Sequence, residues 1–166
     1  MRLYLVGFMG SGKTTVGRLL GRDLGVPFVD LDHVIERRAA STVREIFATA
    51  GEARFRTLEH EALRETGELP EAVVATGGGC FTFPENQELL SRLGITIFLH
   101  PSFGTIARRL GGVEKEDRPL FESEVEALSL YRKRLPAYHQ ADLTLKIGDD
   151  ETARETAARI VLRLEE

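Results

Sequence analysis

The sequence predicts an α/β protein in three layers, with a central parallel sheet of about five strands between helices. Three observations predict it. Short apolar runs alternate with stretches of helical periodicity along the whole chain. Parallel neighbours need a long crossover, usually a helix, so this alternation implies a parallel sheet covered on both faces. The third observation is Gly7 to Thr15, G-F-M-G-S-G-K-T-T, where a glycine, four residues and Gly12-Lys13-Thr14 give the P-loop spacing between an apolar run and an amphipathic one.

The first strand is Leu3-Tyr4-Leu5-Val6, and the first helix has Val16, Leu19, Leu20 and Leu24 on one face. The P-loop therefore follows strand 1. Its glycines let the backbone N–H groups turn inward as a nest for phosphate oxygens, and the helix adds its positive end. Lys13 offers a charge to the outer phosphates, and the Thr14 hydroxyl is a ligand for Mg²⁺. Eighteen of the 22 basic residues are Arg, so the Lys at this point runs against the chain's habit.

Phe28-Val29-Asp30-Leu31-Asp32 predicts a short strand ending in two spaced carboxylates. Strands of such sheets present their carboxyl ends to ligand, which places both acids near the P-loop. Asp30 suits a metal or a helix cap. Helical residues follow over His33 to Ala40. Thr42 and Glu45 form a capping box for the next helix, Gly51 breaks it, and Phe55, Leu58, Ala62 and Leu63 continue at helical spacing. Arg54 and Arg56, taken alone, suit a solvated helix face.

Ala72 to Ala75 is the third strand, and Thr76-Gly77-Gly78-Gly79-Cys80 follows at once. Three glycines in a row are costly in chain entropy and suit a backbone passing close to a ligand. Cys80 suits a small buried residue. Pro84 opens a helix that Gly94 ends, Thr96 to Leu99 is the fourth strand, and a helix with Ile106, Arg109 and Leu110 runs to Gly111-Gly112. Residues 113–120 are polar and predict a loop carrying Arg118. Glu124 to Leu135 is helical, with Arg132, Lys133 and Arg134 where the helix dipole favours cations, and Pro136 disturbs or ends it. Asp142 to Ile147 is the last strand, and Thr152 to Leu164 the last helix.

At 166 residues, with 42% hydrophobic and 29% charged residues, one soluble domain is expected. No apolar run is long enough to span a membrane. Met1 leads straight into strand 1, so no signal peptide is expected. The net charge of −4 argues against nucleic acid as the main partner. The single Cys80 precludes an internal disulfide and suits a reducing compartment, the cytoplasm. A monomer is expected. The four histidines lack metal-ligand spacing.

The chain resembles the shikimate kinases over Leu3 to Leu164. The marks occur in family order: G-F-M-G-S-G-K-T-T at 7–15, D-L-D at 30–32, I-F-A-T-A-G-E at 46–52, F-R-T-L-E at 55–59, G-G-G at 77–79, R-P-L at 118–120 and K-R-L-P-A-Y at 133–138. The resemblance implies a nucleoside-monophosphate-kinase-like fold with a core, an acceptor-binding helical region at about 31–60 and a lid at about 111–124. It implies that Gly10, Ser11, Gly12, Lys13, Thr14 and Thr15 bind the ATP phosphates, that Thr14 ligates Mg²⁺ and that Asp30 holds it through water. Asp32 would contact the shikimate hydroxyl that receives phosphate. Arg56 and Arg134 would hold the carboxylate. Gly77, Gly78 and Gly79 would contact the ring, Phe47 and Phe55 would line the pocket, Arg109 would stack on adenine and Arg118 would close onto the phosphates. Lys13, Asp32 and Arg118 are thus the expected catalytic residues.

One stretch departs from the family pattern. Many relatives carry a basic residue and a proline before the last helix, near adenine; here Gly148-Asp149-Asp150-Glu151-Thr152-Ala153 is acidic and lacks proline. Two other readings compete. A related kinase acting on another carboxylic acid, such as gluconate, would also need arginines. A nucleotide-dependent switch without catalysis would not need Asp32 or Arg118 beside Lys13.

Overall fold

The computed structural model describes residues 1–111 and 123–166. Five strands form one parallel sheet: β1 (Arg2–Val6), β2 (Phe28–Asp30), β3 (Ala72–Ala75), β4 (Ile95–Pro101) and β5 (Leu143–Ile147), in the order β2-β3-β1-β4-β5. The chain leaves β1 for one side of the sheet and later crosses to the other. The loops after β1, β2 and β3 therefore meet at the carboxyl end of the sheet, where open α/β folds bind ligands. Pairings such as Leu5 with Ala75 and Asp30 with Ala75 bring these three strand ends level.

The central strands β1, β3 and β4 are short and largely buried on both faces, so neighbouring residues serve different layers. Leu3 and Leu5 pack with Val16, Leu20, Ala157 and Ile160, on the side of α1 (Lys13–Leu24) and α7 (Ala153–Glu165). Tyr4 and Val6 face the other layer, which includes α2 (Leu31–Ala39), α3 (Val43–Glu65), α4 (Pro84–Leu93), α5 (Phe103–Gly111) and α6 (Glu124–Tyr138). This two-sided burial is the three-layer arrangement that the alternating pattern predicts.

Helix ends follow local chemistry. Thr42 and Glu45 close a capping box on α3, and Thr152 and Glu155 close another on α7. Gly51, at φ 84°, kinks α3 where the sequence predicts a break. Pro136 behaves differently from expectation: α6 runs on to Tyr138. Tyr138 is fully buried against Phe98, and its hydroxyl donates to Gly78 O. That anchoring offsets the hydrogen bond that proline cannot make. The loop expected at 113–120, most of the lid and Arg118 lie outside the described residues.

Replacing Thr152 by Ala removes one side of the α7 capping box. Chemical denaturation should show a loss of about 1 kcal/mol with an unchanged m value.

Candidate active site

The P-loop joins β1 to α1 with Gly10 and Gly12 at φ 79° and 98°, a region that side chains rarely adopt. Helix α1 begins without a side-chain cap or an acidic residue in its first turn, whereas α2, α3, α6 and α7 each carry a capping side chain. Its first N–H groups are therefore left for an anion. Lys13, 8% exposed, donates to Gly7 O at 2.7 Å and Phe8 O at 2.9 Å, so its ammonium lies along the inner edge of the loop. Gly10, Gly12, Lys13, Thr14 and Thr15 line a cleft of about 560 Å³. Ser11 is not on its wall: the side chain is 1% exposed, and its N–H donates to Phe8 O.

Asp30 ends β2 and does two jobs at once. Its Oδ1 caps α2 through His33 N at 3.3 Å, and its Oδ2 accepts from the Thr14 hydroxyl at 3.1 Å. The cap and the metal reading are therefore compatible. A hydroxyl beside a carboxylate oxygen on the cleft wall fits a hard ion such as Mg²⁺. Asp32 sits in the first turn of α2, and its Oδ1 is buried without a hydrogen-bond partner among the described residues. Burial, followed by the Asp30 charge, raises its pKa to about 6. It is thus ionised near neutrality yet more basic than a solvated aspartate.

The other end of the cleft is built by α3, α6 and the segment after β3. Arg54 is exposed and Arg56 points inward, its side chain 14% exposed. The Arg56 guanidinium lies 5.0 Å from the Phe83 ring centre, 5.2 Å from Phe55 and 6.0 Å from Phe47. Its Nη1 donates to Glu59 Oε1 at 2.9 Å. On α6, Arg132 and Lys133 are exposed, while Arg134 is buried over Phe8, its Nη1 without a hydrogen-bond partner among the described residues. A buried, unpaired cationic donor on a cleft wall marks a place for an anion.

The three glycines are explained by space. Gly79 has φ −96° and ψ −8°, which any residue can adopt. A Cβ there would lie 2.5 Å from Arg56 Nη2. One on Gly77 would lie 3.0 Å from Asp32 Oδ1 and 3.1 Å from Glu59 Oε2, and one on Gly78 would lie 3.5 Å from Arg134 Nη1. Gly77 and Gly79 therefore make room for charged groups of the site itself, whereas the tightest neighbour of Gly78 is Met9 N, at 3.3 Å from its Cβ position. The N–H groups of Gly78 and Gly79 find no acceptor among the described residues, which leaves them for a ligand.

Glu59 and Phe83 are the residues that sequence reading missed. Glu59 is 0% exposed, and burial raises its pKa to about 7 against the lowering effect of Arg56. Its signal was present: position 59 falls on the helix face of Phe55, Ala62 and Leu63, a carboxylate among apolar residues. Phe83 had no such signal, because its contact with Arg56 spans two elements. Cys80 is buried, and burial pushes its thiol well above the ordinary range, which excludes a reactive thiolate. Arg109 donates to Gly10 O at 2.9 Å, which sets the end of α5 on the P-loop.

A P-loop, a hydroxyl–carboxylate pair beside it and an acid facing two inward arginines define a phosphotransferase for a small anionic acceptor. A sequence model described as shikimate kinase matches residues 9–165. The chain is 41% identical to a shikimate kinase of Bacteroides fragilis over 148 residues, covering 86% of this chain and 82% of that one. It is 36% identical to that of Aquifex aeolicus over 166 residues, covering 99% and 96%. The solved shikimate kinase of Acinetobacter baumannii, in complex with shikimate, superposes with a TM-score of 0.93 at 37% identity over 99% of this chain and 92% of that one. The chain belongs to the shikimate kinase family.

Two outcomes test the geometry. Gly79→Ala should fold normally, because its backbone tolerates a side chain, yet raise the acceptor KM roughly tenfold by displacing Arg56, as steady-state kinetics would show. The second outcome concerns Glu59. Its folded pKa lies above the unfolded value, so the folded protein binds more protons than the unfolded chain between about pH 4.5 and 7, and stability falls as pH rises through that window. Unfolding at pH 5 and pH 8 should show a loss about 2 kcal/mol larger for the unmodified protein than for Glu59→Gln.

Proposed function

We propose that this chain transfers the γ-phosphoryl group of ATP to the 3-hydroxyl of shikimate, giving ADP and shikimate 3-phosphate in aromatic amino-acid biosynthesis. The observation that carries the reading is Arg134, whose buried and unpartnered Nη1 lines the same cleft as the P-loop. Arg134 and Arg56 bind the acceptor carboxylate, with Gly78 and Gly79 N–H groups beside the ring and Phe47 and Phe55 along the pocket. Gly77 leaves Asp32 room to approach the acceptor hydroxyl.

Asp32 orients that hydroxyl and takes its proton as the oxygen bonds to the γ-phosphorus and the bond to the bridging oxygen of ADP breaks. Lys13 and the α1 N-terminus neutralise phosphate charge, together with Gly10, Gly12 and Thr15. Thr14 directly, and Asp30 through water, would hold Mg²⁺, which supplies further neutralisation of the phosphates. Arg118, on residues beyond those described, would add a charge from the lid, and Arg109 would lie against adenine. Among the described residues no helix is long and apolar enough to cross a membrane. The single buried thiol supports a cytoplasmic setting.

ADP release with ATP and Mg²⁺ over a panel of acids that includes shikimate and gluconate tests the substrate. Shikimate should turn over, and failure with shikimate alone would sink the reading. Asp32→Asn should lower kcat by roughly a hundredfold or more with little change in ATP affinity; weakened ATP binding would assign Asp32 to the metal instead. Arg134→Lys should raise the shikimate KM roughly tenfold, because a point charge cannot make a two-pronged contact.

A further inference from the structure

One buried polar side chain has no place in the chemistry above. Asn86, in the first turn of α4, is 2% exposed and makes two connections. Its Nδ2 donates to Cys80 O at 2.9 Å, and its Oδ1 lies 2.6 Å from His60 Nδ1. These partners set the orientation of the amide. A carbonyl accepts only, so the nitrogen faces Cys80 and the oxygen faces His60, whose Nδ1 carries the hydrogen. One side chain thus ties α3, which bears Arg56 and Glu59, to the segment that follows β3.

That segment is held carbonyl by carbonyl. Gly77 O accepts from Cys80 N at 3.2 Å, Gly78 O from the Tyr138 hydroxyl, and Gly79 O from Thr82 Oγ1 at 2.6 Å. Cys80 O accepts from Asn86, and Phe81 O from Gln87 Nε2 at 2.8 Å. Three successive glycines have no side chains to restrain them, so these bonds set their path. The path has little slack, since the Gly79 Cα hydrogens already face the Arg56 guanidinium.

We propose that Asn86 is a positioning residue for the acceptor site: by bonding Cys80 O and His60 together, it sets the spacing between the triple-glycine loop and the helix that carries Arg56 and Glu59. The proposal rests on the acceptor reading above. Asn86 touches no reacting atom; it acts through the Gly79 backbone on one side and through α3 on the other. Loss of the tie moves the Gly78 and Gly79 N–H groups relative to Arg56. The P-loop meets this segment at Met9, beside Gly78, but its Lys13 is held within the loop by Gly7 O and Phe8 O, so the phosphate end is disturbed less.

Steady-state kinetics with shikimate and ATP varied in turn test it. Asn86→Leu, close in size and unable to make either bond, should raise the shikimate KM roughly tenfold and leave the ATP KM within about twofold. His60→Leu loses only the α3 end of the tie and should raise the shikimate KM by about threefold, with His60→Gln, whose amide can donate, restoring it. If Asn86→Leu does not fold, the His60 pair decides. An unchanged shikimate KM, or equal rises in both KM values, would overturn the proposal while unmodified protein still turns over shikimate. No turnover by the unmodified protein would overturn the acceptor reading and this proposal together.

Discussion

The site depends on one close approach: a glycine backbone laid directly against buried charge. Gly77 passes Asp32 and Glu59, and Gly79 passes Arg56, at distances that a methyl group would occupy. Buried charges are tolerable only when paired and bonded. Glu59 answers Arg56 inside the protein, but one oxygen of Glu59, one of Asp32 and one nitrogen of Arg134 lack partners among the described residues. The structure keeps unsatisfied polar groups where a hydroxylated carboxylic acid would satisfy them. This is a cost in stability retained at a functional site.

The two ends of the cleft solve opposite electrostatic problems with the same means. At the P-loop, an uncapped helix and a folded-back lysine await a highly charged anion. At the far end, aromatic rings around Arg56 and Phe8 beneath Arg134 desolvate two guanidinium groups, which would strengthen the hold proposed for them on a single carboxylate. Asp32 stands between them on α2, and Gly77 lets it stay close to Glu59. The shared sheet edge makes this possible, because β1, β2 and β3 end level and each delivers one part of the site.

The parts legible in the sequence were those whose chemistry is local. The P-loop, the capping boxes of α3 and α7, the Gly51 kink and the parallel sheet all follow from patterns within a few residues. Asp30 was legible as either a cap or a metal neighbour; its Oδ1 caps α2, and its Oδ2, bonded to Thr14, leaves the metal reading compatible. The glycine triplet was legible as a close approach, but what it approaches was not, since Arg56 and Asp32 come from other elements. Arg56 read alone suits solvent; the resemblance assigned it inward, and packing of α3 against Phe83 explains why. Glu59 went unassigned because a glutamate three residues after an arginine resembles a surface ion pair. Pro136 misled in the other direction, because the Tyr138 anchor lies far along the chain at Gly78.

A single cleft that aligns a nucleotide with one hydroxyl of a carboxylic acid would phosphorylate that hydroxyl alone. Phosphorus–proton correlation spectroscopy on the product formed from ATP and shikimate tests it most directly. The expected result is a new phosphate monoester whose phosphorus couples to the proton on carbon 3 of the shikimate ring. Coupling to another ring proton, or inorganic phosphate as the sole product, would contradict it.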